Sequence, residues 1–255
     1  MPAAAPQTKY NQIIDSINER LRTGSSFTAN DEFWFNSLKR DAEKLLKVDA
    51  AQGHIALAAL MQLKWNEGKS LHHIKCANAA NPSLVTRVQE IALLSNFGRF
   101  SDALALTNET TDPRYGVFVE NYLAAMSCGA FHRLSVNQRK AAEMNIDMSG
   151  LPTITVDKVT NILSSVGVSD EMTAQALDIA GEILRDRKQL WIGESVEVDV
   201  DETPGHQPTV FFTFLIKTTP ESASTMTFDL YERLLKSNPD HSPSLNLGFR
   251  SVTIT

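Results

Sequence analysis

Apolar residues recur at three- and four-residue intervals through most of the first 148 positions, the spacing of helices that bury one face. Tyr10, Ile13, Ile14, Ile17 and Leu21 predict a first helix. A break follows at Thr23-Gly24-Ser25-Ser26, and Thr28, three residues before Asp31, is placed to cap a second helix carrying Phe33, Trp34, Leu38, Ala42, Leu45 and Leu46. Its aromatic run Phe33-Trp34-Phe35 is expected in the core. From Asp49 the pattern predicts helices over residues 50–66, 70–80, 83–96, 100–109, 113–127 and 131–144, joined by connections short enough to make neighbours antiparallel. Asn81-Pro82 and Asp112-Pro113 suit helix starts, pairing a capping side chain with a residue whose missing N–H is harmless in a first turn.

The pattern changes after Ser149-Gly150-Leu151-Pro152. Thr153-Ile154-Thr155-Val156 is short and β-branched and predicts a strand. Helices are expected over 157–166 and, capped by Ser169, along the face of Met172, Ala176, Ile179, Ala180 and Ile183. Val196, Val198 and Val200 alternate with Glu197, Asp199 and Asp201, as in a half-buried strand. A second strand over 210–217, a helix from Pro220 with Ala223, Met226, Leu230 and Leu234 inward, and a strand over 245–254 complete the order β-α-α-β-β-α-β. The fold class is therefore α+β. A helical domain over 1–148 precedes a small α+β domain over 151–255, whose order matches a split βαβ or ferredoxin-like fold; a three-stranded antiparallel sheet with helices on one face is the alternative.

The helical part repeats. Gly68, Gly98 and Gly129 fall 30 and 31 residues apart between helical segments, Phe100 and Phe131 each follow their glycine by two, and Pro82 and Pro113 differ by 31. Residues 49–147 resemble the tetratricopeptide class of helix-turn-helix repeats, in which stacked hairpins build a common core. Gly98, Phe100 and Ala103 fit that family's turn. Leu134 stands where a small residue is wanted, Ser70 and His73 replace the aromatic and small residues of the first unit, and Met61, Ile91 and Tyr122 occupy positions that are small in the family. The resemblance implies that a protein partner lies against the wall made by the first helix of each unit, which places Val88, Ala92, Val119 and Leu123 as partner-binding positions.

Charge narrows the partners. The formal net charge is −6, and it is uneven: residues 1–148 hold 16 basic and 15 acidic side chains, whereas 149–255 hold 8 and 15. Nucleic acid is therefore not favoured, because phosphate binding needs clustered Lys and Arg; an acidic C-terminal part suits self-association or a basic docking surface. The start lacks a basic n-region and apolar h-region, the longest apolar run is Ile55 to Met61, and two cysteines make no disulfide framework, so the expectation is a cytoplasmic protein without membrane contact.

Candidate chemistry is sparse. His72/Cys76 and Cys128/His132 are four-residue pairs with zinc-ligand spacing, but the repeat frame separates them by about two units, so both cysteines read as small buried hydrophobes and no metal is expected. Cys128 with His132 could form a thiol nucleophile, for which no third, orienting group is identifiable. Glu194, Glu197, Asp199, Asp201 and Glu202 could offer oxygens to a hard cation, yet their alternation with valines makes them the wet face of a strand. Phosphate-loop, dinucleotide-binding, nucleophile-elbow and zinc-protease motifs are missing. No catalytic residue and no cofactor are expected. The reading is an interaction or adaptor protein, with an enzyme or nucleic-acid-processing component sited in the α+β part as the alternative.

Overall fold

The computed structural model describes residues 8–23, 29–107, 115–189, 191, 196–237 and 242–252. The expected tail at 1–7, the Thr28 cap, the Asp112-Pro113 start, Glu194 and residues 238–241 of the last loop lie outside these. The chain gathers into two compact units that divide between Leu93 and Leu94, so the expected boundary at 148–151 falls inside the second unit.

The first unit is built around a helix that is apolar on nearly every side. α3 (Ala50–Leu63) buries Ala51, Ile55, Ala56, Leu57, Ala58, Leu60, Met61 and Leu63, so it must be covered all round. α1 (Lys9–Thr23) contributes Ile13 and Ile17, and α2 (Glu32–Leu45) contributes Phe35 and Ala42 to the same core. Of the aromatic run only Phe35 is fully buried; Phe33 points to solvent. Gly53 lets α3 pass the end of α2, since a Cβ there would meet Leu46 N at 2.6 Å. α4 (Glu67–Ala80) is tied to α3 by Ser70, whose hydroxyl donates to Ala58 O at 2.9 Å. α5 (Leu84–Asn96) begins in this unit.

The second unit holds α6 (Phe100–Leu106), α7 (Tyr115–Ser127), α8 (Phe131–Glu143), α9 (Thr153–Ser165), α10 (Asp170–Asp186), β1 (Val196–Asp201), β2 (Thr209–Ile216), α11 (Pro220–Ser237) and β3 (Leu245–Ser251). The α+β class holds, and the helical part is a repeat-like run of packed helices. One expected element does not form: residues 153–156 are the first turn of α9. A strand would place Ile154 and Val156 on one face, yet Ile154 is 75% exposed and Val156 1%. Val156, Val159, Ile162 and Leu163 instead share one helical face, and that 3.6-residue period outweighs local β-branching.

The ferredoxin-like order therefore gives way to a three-stranded sheet in the order β1-β2-β3. β1 and β2 form an antiparallel hairpin with Val198 opposite Phe212, and β3 lies parallel to β2 with Leu247 opposite Phe212. The parallel pairing follows from the helical crossover through α11, so the all-antiparallel alternative is also excluded. α11 flanks the outer edge of β3, where the Thr227 hydroxyl accepts from Phe249 N at 3.0 Å and donates to Phe249 O at 3.3 Å. Val210, Phe212, Phe214, Ile216, Leu245, Leu247 and Phe249 form the buried face of the sheet.

The 31-residue period acquires a physical reason here. Phe100 packs against Phe214 and Phe131 against Phe212, with ring centroids 5.7 and 6.4 Å apart, so the aromatic two residues after Gly98 and after Gly129 reaches the same face of one strand. Trp191 closes the cluster 5.2 Å from Phe214.

Candidate functional site

α10 carries the second unit's polar organisation. Its buried positions run almost round the helix, and two of them receive the turn glycines. Gly98 and Gly129 have φ of 67° and 76°, the left-handed conformation that closes a helix C-terminus. A Cβ on Gly98 would stand 2.9 Å from both C and O of Gly181, and one on Gly129 would stand 2.6 Å from Thr173 Cγ2. Arg185 donates to the carbonyls of Phe97 and Gly98 at 3.0 and 2.6 Å, satisfying the open end of α5.

The helix starts beyond those turns are satisfied from the same rod. Asp178 accepts the backbone N–H groups of Phe100 and Ser101 at 2.6 and 3.1 Å. Asp170, itself buried, accepts those of His132 and Arg133 at 2.9 and 3.1 Å. Negative charge at a helix N-terminus is favoured by the free N–H groups and the helix dipole. Arg133 reaches in the opposite direction, donating to Leu104 O, Thr107 O and the Thr107 hydroxyl at 2.6, 2.8 and 2.8 Å and to Glu171 at 3.0 Å. The Glu171 carboxylate is held below its ordinary range, first by its own backbone N–H, then by Ser169 and Arg133.

His132 is the other side chain gathered by Asp170. Its Nδ1 stands 2.9 Å from Asp170 Oδ1 and its Nε2 3.0 Å from the exposed hydroxyl of Ser164 near the end of α9. The imidazole is about one-third exposed. Sequence reasoning paired His132 with Cys128. The structure instead buries Cys128 completely, with its thiol donating to Ala125 O at 3.2 Å; burial pushes the thiol up to about 12, and the Asp170 charge acts in the same direction. Such a thiol is an inert core residue. Ser164 and Asp170 lie 32 and 38 residues from His132 in an order that no motif marks.

The other sequence candidates separate. His72 Nε2 lies 3.7 Å from Cys76 Sγ on α4. Across the α3–α4 contact, His54 Nδ1 and His73 Nδ1 lie 3.1 Å apart, so one proton serves both, and burial holds each imidazole below its ordinary range, aided by His72. Glu197 pairs with Arg250 at 2.6 Å and Glu202 with Lys158 at 2.8 Å, while Asp201 accepts from Thr203. Among the described residues no group of three or more His, Cys, Asp or Glu is placed to hold a metal. No described helix is long and apolar enough to cross a membrane.

Of the expected partner positions, Val88 is 3% exposed and is a core residue, which leaves no side-chain surface there for a partner. Ala92 is half-buried in the first unit, and Val119 and Leu123 are half-buried one turn apart on α7 in the second. A more prominent apolar surface lies on α11. Phe228 and Leu235 are 74% exposed and Tyr231 41%, at i, i+3 and i+7 opposite the buried face of Ala223, Met226, Leu230 and Leu234. This second stripe was legible as spacing, but a helix with two apolar stripes does not reveal which one a sheet covers. No protein-family model, no curated protein and no solved structure matches the chain.

Proposed function

We propose that the protein is an interaction protein, an adaptor that seats a helix of a partner protein on its own helical surface. The observation that carries this reading is the outward stripe Phe228–Tyr231–Leu235. Large apolar side chains in line for two turns are the anchors that a helix face offers to an amphipathic partner helix. The repeat-like hairpin run supports the same class of function, with Val119 and Leu123 on α7 as further contact positions in the second unit.

The test is photo-crosslinking from p-benzoylphenylalanine placed at position 228 in the source cells. The expected result is a covalent adduct with one protein, reproduced with that protein purified and abolished by Leu235→Asp. Because Leu235 is exposed, that variant should melt as the parent does. Adducts to the chain itself, or an adduct that survives Leu235→Asp, would remove the proposal.

A further inference from the structure

The Ser164–His132–Asp170 chain lies outside the partner reading and stands independently of it. In the neutral imidazole, Nδ1–H donates to Asp170 Oδ1, because a carboxylate can only accept, and Nε2 is left with a lone pair facing the Ser164 hydroxyl 3.0 Å away. Asp170 is fixed in turn by the two backbone N–H groups of α8, so the imidazole is held by its own main chain and by its carboxylate together. Nucleophile, base and orienting group thus stand in the relation that acyl transfer uses on unrelated folds. We propose that Ser164, His132 and Asp170 form an acyl-transfer centre, with Ser164 as the nucleophile toward small carboxylic esters.

Ser164 is exposed near the end of α9, with exposed Val166 two residues on, so a small ester can reach its hydroxyl from solvent. The Ser164 oxygen attacks the ester carbonyl and its proton passes to His132 Nε2. The acyl–alkoxy bond breaks, and the leaving alcohol takes that proton. Water then attacks the acyl-serine, giving its proton to Nε2; the carboxylic acid departs and Ser164 recovers its hydrogen. The net change is ester plus water to acid plus alcohol, with no further reactant. Ser164 and His132 are the catalytic residues, and Asp170 is a positioning residue.

Fluorophosphonate labelling of the full chain followed by peptide mapping tests this, since the serine oxygen would displace fluoride at phosphorus as it attacks a carbonyl. The expected adduct is on Ser164, lost in Ser164→Ala and about a hundredfold slower in His132→Gln, the low end of a general base's contribution. Hydrolysis of p-nitrophenyl acetate should fall in parallel. A second measurement does not depend on turnover: a thiol introduced by Ser164→Cys should react with iodoacetamide at least tenfold faster than one introduced by Ser165→Cys. Ser165 sits in the same turn, but its hydroxyl is spent on Ile162 O at 2.7 Å. A label elsewhere, labelling indifferent to His132→Gln, or equal alkylation at 164 and 165 would overturn the proposal and leave His132 as a helix-start ornament of Asp170.

Discussion

Three turns in this chain look alike in sequence and are built in two ways. The turns at Gly98 and Gly129 are pressed against α10, and their helix starts take carboxylates from residues 37 to 78 positions away. The turn between α3 and α4 is local. Its left-handed residue is Trp65, not Gly68, with φ of 53°, and Asn66 caps the next helix by accepting from Lys69 N at 3.1 Å. Gly68 falls inside the first turn of α4 with nothing within 4 Å of where its Cβ would be. A recurring glycine therefore does not by itself mark a recurring contact; what covers the turn decides whether glycine is required.

The sharpest way to break this comparison is to put the same methyl group on both glycines. Gly98→Ala combines left-handed strain with a collision against the Gly181 backbone and should lower stability by about 3 kcal/mol in urea unfolding. Gly68→Ala should raise it by up to about 1 kcal/mol, because alanine is the better helix residue where space is open. Equal effects would mean that the turns are equivalent after all.

Capping gives a smaller difference. Asp178→Ala leaves two N–H groups of α6 without their charged acceptor and should cost about 2 kcal/mol, whereas Asn66→Ala removes one neutral cap and should cost about 1 kcal/mol. The smallest effect isolates conformation from contact. Lys188 is exposed and left-handed at φ 48° just beyond α10. Lys188→Gly should therefore stabilise by about 0.5–1 kcal/mol, read as a rise in melting temperature.

Much of the helical part was legible because amphipathic spacing is local: α3, α5, α7 and α8 start or end within two or three residues of the sequence expectation. The 153–156 segment was misread because four residues fit both periods and only the continuation through Val159 and Ile162 separates them. Val88 was placed on a binding wall by family geometry, yet a buried valine and a groove valine share the same spacing. Cys128 and His132 share a four-residue interval, while the polar neighbours of the His132 ring come from α9 and the first residue of α10. Such a site is a property of how helices cross, and spacing within one helix carries no trace of it.

The reliance of both turns on α10 also sets an order of events during synthesis. Gly98 and the start of α6 leave the ribosome 78 to 87 residues before Asp178 and Arg185, the groups that satisfy them. At roughly 5–20 residues per second that interval is about 4–17 s. For that time the exposed ends of α5 and α6 can be hydrated but not closed, and Phe100 and Phe131 have no strand to cover them. The hairpins of the second unit therefore wait for the later third of the chain before their turns can close.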